Sequence, residues 1–169
     1  MFISVLDLFK IGIGPSSSHT LGPMVAANNF LACIKATKPD RSALGLRCTL
    51  KGSLAFTGKG HATDRAVALG LHGHLPVNLT DYDVDELVTQ IWDSDHICLD
   101  KDIKIAFNPA KDIIFDKGEP LPEHPNGMVF ELIDSDGKCL FSETYFSIGG
   151  GFINTLAGGG SNLTLPALM

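Results

Sequence analysis

Apolar residues recur along this chain with two periods, and the switch between them marks out its elements. Over residues 23–36, Met24, Val25, Ala27, Leu31 and Ile34 fall at helical spacing and predict an amphipathic helix. Lys38, Pro39, Asp40 and Arg41 then make a turn, and residues 44–50 alternate as a strand does. Residues 62–71 read as a second helix closed by Gly73. A third spans 83–92, with Val84, Leu87, Val88 and Ile91 on one face and Asp81 or Asp83 as its cap. Short strands follow at 103–107 and 112–115. Residues 128–133 and 139–146 form a hairpin across Asp134, Ser135, Asp136 and Gly137, whose Asp-Gly suits a tight turn. Helices interleaved with hairpin strands, without regular βαβ spacing, predict an α+β fold: a mixed or antiparallel sheet with helices packed on it.

The far end breaks this pattern. Gly149, Gly150 and Gly151, then Gly158, Gly159 and Gly160, bracket a weak apolar segment. We expect one domain over residues 1–153 and a glycine-rich tail or linker over 154–169, leading towards a further domain. The 169 residues suffice for one core, and 44% apolar with 19% charged is a globular balance. A formal charge of −6, without a Lys/Arg cluster, argues against a nucleic-acid surface. The first residues lack a basic segment followed by an apolar one, and no 18-residue apolar run occurs, so neither a signal peptide nor a membrane span is expected and the chain reads as cytoplasmic. Cys33, Cys48, Cys98 and Cys139 are scattered, without a C-x-x-C pair, and are expected to be buried free thiols rather than a zinc, redox or iron–sulfur site.

The chemistry gathers in three polar stretches. In the first, Gly12, Gly14 and Pro15 precede Ser16, Ser17, Ser18, His19 and Thr20, just ahead of the first predicted helix. Unpaired N–H groups and the helix dipole favour an anion there, and a small carboxylate is the expected ligand. The second, Thr57-Gly58-Lys59-Gly60-His61-Ala62-Thr63-Asp64, repeats the design. Lys59 between glycines lacks the Walker spacing of a phosphate loop, Thr63 or Asp64 could simply cap the helix, and His61, with an ordinary pKa of about 6.5, could take a proton. The third is Pro122-Glu123-His124-Pro125-Asn126-Gly127, where His124 and Asn126 could share a ligand or merely shape a rigid turn. His72, His74 and His96 read as structural or solvent-facing. No H-E-x-x-H or G-x-S-x-G pattern occurs, which weighs against a zinc protease or serine hydrolase.

Residues 4–24, reading SVLDLFKIGIGPSSSHTLGPM, closely resemble the start of bacterial iron–sulfur-dependent L-serine dehydratases. Gly58-Lys59-Gly60-His61-Ala62-Thr63-Asp64, His124-Pro125-Asn126 and Tyr145-Phe146-Ser147-Ile148-Gly149-Gly150-Gly151 fit the same family. The resemblance implies a β region, either the N-terminal domain of a one-chain enzyme or a separate chain, and a homodimer. It implies conversion of L-serine to pyruvate and ammonia with a [4Fe–4S] cluster whose cysteines belong to an α catalytic region outside this chain, so the chain alone is expected to be inactive. It also implies a fold similar to the allosteric substrate-binding domain of D-3-phosphoglycerate dehydrogenase. On this reading His61 is the candidate base for the Cα proton, with Lys59 as competitor. Ser16, Ser17, Ser18, His19, Thr20, Thr63 and Asp64 would hold the substrate, and His124 and Asn126 would complete the pocket. The alternative is a regulatory module that binds serine or another small anion, or mediates dimerisation, and touches no reacting atom.

Overall fold

The computed structural model describes residues 16–37, 39 and 43–156. Its first helix, α1, covers Gly22–Thr37 and continues directly from a π-helical turn, Ser17–Leu21. Gly12, Gly14 and Pro15, and most of the turn expected at 38–41, lie outside the described residues. Helical geometry thus begins inside the serine run, earlier than the apolar spacing indicates. Pro23 has no N–H to give, and the wider turn before it carries the chain into the helix: the Leu21 N–H reaches back to the Ser16 carbonyl at 3.2 Å.

After α1 come strand β1 (Ala43–Leu50), the short helix α2 (Ser53–Thr57), a 3₁₀ turn (Gly58–His61) and helix α3 (Thr63–Leu71). Helix α4 covers Val84–Asp93 and is capped by Asp83, whose carboxylate accepts the Glu86 N–H at 3.2 Å. Then follow β2 (His96–Asp100), β3 (Ile103–Ala106), the single turn α5 (Pro109–Asp112) and β4 (Ile113–Phe115). The last three strands are β5 (Gly127–Asp134), β6 (Cys139–Gly149) and β7 (Phe152–Thr155).

The seven strands form one mixed sheet in the order β2-β3-β1-β5-β6-β7, with β4 also on β1, and the fold is α+β as expected. One edge of β1 serves two partners in parallel. Gly45 aligns with Ala106 of β3, and Cys48, Thr49 and Leu50 align with Ile113, Ile114 and Phe115 of β4. Pro109 breaks what would otherwise be one strand, and the Asn108 side chain accepts the Ala110 N–H at the break. The hairpin turn between β5 and β6 is held by the Asp134 carboxylate, which accepts the N–H groups of Asp136 and Lys138. The apolar segment between the two glycine runs is itself a strand, and its pairing carries to Thr155, past residue 153.

The core lies between one face of the sheet and α1. Leu46, Cys48 and Leu50 stand across from Leu132, Phe130 and Met128, and the Phe30 ring of α1 sits 5.3 Å from that of Phe130. Tyr145 is buried among them, with its hydroxyl donating to Asn29 Oδ1 at 2.7 Å. The cysteines depart from expectation. Cys48 is buried, Cys33 is half-buried, and Cys98 and Cys139 are exposed. Cys98 falls on an outward position of β2, where burial alternates, and Cys139 opens β6 at its exposed end.

Helix α3 packs against α1 so closely that only glycine fits at the crossing. A Cβ on Gly70 would lie 2.4 Å from the Met24 carbonyl oxygen and 2.7 Å from Ala27 Cβ. Gly70→Ala gains about 1 kcal/mol of helix propensity but forces the helices apart, at a cost of about 1–3 kcal/mol. Urea denaturation is expected to give a lower midpoint for this variant. An equal or higher midpoint would show that the crossing is not close-packed.

Candidate active site

Two turns from distant parts of the chain are stitched together by threonines. Thr20, in the π-helical turn, donates its hydroxyl to the His61 carbonyl at 2.7 Å, and Thr63, at the start of α3, donates to the His19 carbonyl at 2.5 Å. Both threonines are fully buried. This reciprocal pairing brings the two imidazoles to 4.9 Å between centroids, tilted by 47°. The similarity of the first and second polar stretches is therefore a spatial fact: they form one cluster. The helix start at Thr63 is set by Ala62, which has φ 57° and ψ 35°. It is the one non-glycine residue with positive φ among the described residues, in a conformation that L-residues avoid. Neither Thr63 nor Asp64 caps the helix. Thr63 is spent on His19, and Asp64 accepts the neighbouring Arg65 N–H.

The two histidines differ in what their ring nitrogens touch. His19 Nδ1 lies 2.8 Å from Ser18 Oγ, and its Nε2 lies 2.9 Å from Ser53 Oγ. Ser16 Oγ accepts the His19 N–H and reaches Ser18 Oγ at 3.3 Å, while Ser17 Oγ accepts the Gly150 N–H. Both nitrogens of His19 are thus engaged, and the serine run is a scaffold around it. His61 Nδ1, by contrast, is buried with no hydrogen-bond partner among the described residues. Burial first, and the neighbouring His61 second, hold His19 below the ordinary histidine pKa, against an opposing contribution from Ser53. His19 is accordingly a neutral, fixed ring at pH 7.

The third stretch joins through Ser53, which sequence reasoning passed over. Gly52 turns the chain with φ 58°, and a Cβ there would lie 2.2 Å from the Pro125 carbonyl oxygen. That carbonyl accepts the Ser53 N–H at 2.8 Å, so one residue bonds His19 through its side chain and the 122–126 loop through its backbone. Asn126 in turn gives its side-chain amide to the Ser147 carbonyl and accepts the Ser147 N–H. Ser147 was also missed; its hydroxyl is buried without a partner among the described residues, directly beneath Gly22. A Gly–Ser pair ahead of a helix was the available signal for Ser53. His124 bonds its own loop, accepting the Asn126 N–H at Nδ1, and packs on Phe146. Lys59 and Asp64 line an open groove of about 570 Å³ between the 3₁₀ turn and α4. The Lys59 ammonium sits over the Phe115 ring, 5.3 Å from its centroid.

Among the described residues no three His, Cys, Asp or Glu side chains stand together as metal ligands. The four cysteines lie apart on α1, β1, β2 and β6, and burial pushes the Cys48 thiol well above its ordinary pKa. They do not fit an iron–sulfur cluster. No described helix is long and apolar enough to cross a membrane.

Buried threonines and half-buried serines fix a neutral histidine beside one with an unbonded nitrogen, groups of the type that proton transfer uses. Residues 4–157 match the family model of the serine dehydratase beta chain, and the chain belongs to that family. It is 44% identical over 153 residues to the L-serine dehydratase of Streptomyces coelicolor, covering 90% of this chain and 34% of that protein. It is 41% identical over 152 residues to the L-serine dehydratase of Helicobacter pylori, covering 90% and 33%. With L-serine dehydratase 2 of Escherichia coli it shares 38% over 151 residues, covering 89% and 33%. The chain thus spans about a third of the length of the curated relatives it matches.

Coupling within the pair has a sign that can be measured. His19 titrates below 6.5 in the folded chain, so its contribution to stability is full above 6.5 and is lost as pH falls below it. In His61→Gln the repulsion from a second imidazolium is gone, and the His19 midpoint, followed by NMR of the imidazole ring, is expected to rise towards 6.5. An unmoved midpoint would show that the rings are not coupled.

Proposed function

We propose that this chain is the β part of an L-serine dehydratase, which supplies one wall of an active site completed by an α catalytic region. The observation that carries the reading is the unequal histidine pair: His19 bonded at both nitrogens, His61 4.9 Å away with a buried nitrogen unbonded. A base must have a nitrogen free to accept a proton, and only His61 of the two has one.

In this account the substrate carboxylate lies against the serine run and the His19 ring, and His61 takes the Cα proton of L-serine. Loss of that proton and of the β-hydroxyl as water leaves aminoacrylate, which tautomerises and hydrolyses to pyruvate and ammonia. Departure of the hydroxyl needs an acid or Lewis acid, and the described residues of this chain do not present one beside the pair. By family resemblance, a [4Fe–4S] cluster in the α region would supply that acid. The 122–126 loop, clamped to Ser53 and Ser147, forms the rim of the same wall.

His61→Ala in the assembled enzyme is expected to lower turnover by about 10²–10⁴-fold with little change in the KM for serine, whereas His19→Ala mainly raises KM. Near-normal turnover in His61→Ala would overturn the assignment and favour a module that senses serine without touching the reacting atoms.

A further inference from the structure

A second set of imidazoles shares no residue with the His19–His61 pair. His72 caps the C-terminus of α3, His74 follows on the same turn, and His96 opens β2. All three line one open cavity of about 320 Å³, with Gln90 of α4 beside them and Ile91 and Ile97 among its apolar lining. His72 packs against Phe107, and its Nε2 is buried with no hydrogen-bond partner among the described residues. His74 meets the edge of Tyr82, and His96 Nδ1 lies 2.9 Å from the exposed Asp95 carboxylate.

No carboxylate lines this cavity, although the chain carries a formal charge of −6. On α4 the group presented there is the uncharged Gln90, while Asp93 lines the other groove. Of the ionisable groups on β2, His96 and Cys98 line the cavity and Asp100 does not, and Lys104 of β3 stands opposite Cys98. The cavity is therefore lined by three imidazoles and one thiol, and one of those rings, His72, has a buried nitrogen without a partner among the described residues. We propose that it binds a small anion, a carboxylate or tetrahedral oxyanion, taken up together with a proton on the imidazoles.

An anionic oxygen at His72 would satisfy the orphaned nitrogen once that nitrogen is protonated, a charge-assisted bond of the stronger kind. Burial, then His74 and His96, push His72 down to about 4, and burial also lowers His74, so these two rings are neutral at pH 7 in the empty cavity. An anion offsets the mutual repulsion of these rings. Binding must then strengthen as pH falls. The site goes beyond the dehydratase reading and does not depend on it.

The test is a titration of the 169-residue chain with sodium sulfate and with sodium acetate at pH 6 and pH 8, followed by imidazole NMR and calorimetry. We expect saturable shifts confined to His72, His74 and His96, about one proton taken up per anion, and binding at least about tenfold tighter at pH 6. Preference for sulfate or for acetate separates the oxyanion from the carboxylate. His96→Gln, at the more exposed side of the cavity, is expected to weaken binding several-fold without moving the thermal midpoint. Shifts that do not saturate, that sodium chloride reproduces, or that are the same in His96→Gln would overturn the proposal, as would Zn²⁺ binding tightly to these rings while neither anion binds.

Discussion

The site depends on two buried hydroxyl-to-carbonyl bonds, Thr20 to His61 and Thr63 to His19. Each threonine satisfies the backbone of the other turn's histidine, so neither histidine's backbone can shift without breaking a bond inside the core. A hydrogen bond of this type contributes about 1 kcal/mol net, but a buried carbonyl left without its donor costs about 1–3 kcal/mol. The pair is therefore held more firmly than its net energy suggests. It also offsets the strain of Ala62, whose positive φ costs on the order of 1–3 kcal/mol and aims Thr63 at His19.

From that staple the rest of the wall is assembled outwards. Ser53 takes the second nitrogen of His19 and ties the 122–126 loop, and Asn126 ties that loop to β6 through Ser147. Helix α1, packed on the sheet and on α3, fixes the turn that carries Thr20. The consequence is chemical. A histidine bonded on both sides is a rigid neutral contact, while its neighbour keeps an unsatisfied nitrogen for which the described residues supply no partner. A partner from substrate or from another region is what the arrangement lacks.

Much of this could be read from the sequence, and the omissions have physical causes. The three long helices and the β5–β6 hairpin follow from apolar spacing and from Asp-Gly turn chemistry, and they formed close to where spacing put them. Asp83 was legible as a cap because its carboxylate bonds locally. The π-helical turn was not, because Ser17, Ser18 and Thr20 are poor helix formers taken alone and are held there by tertiary bonds. Thr63 looked like a cap, but Ala62 holds the N-cap position and the Thr63 hydroxyl donates to a carbonyl 44 residues away. Ser53 and Ser147 carry no pattern of their own, since their roles arise from registers and loops far apart in the chain. β2 and β7 were short enough to hide, and the exposed thiols of Cys98 and Cys139 follow from strand positions that spacing alone had not fixed.

The central claim is that the His19–His61 cluster is one wall of a catalytic site, with His61 facing the reacting carbon. A crystal structure of this chain assembled with its α catalytic region and an unreactive serine analogue tests it most directly. The account predicts the analogue's Cα within roughly 3–4 Å of an imidazole nitrogen of His61, near-attack distance for proton transfer, with its carboxylate against the serine run. An analogue bound elsewhere, with the His61 ring turned to solvent, would contradict it.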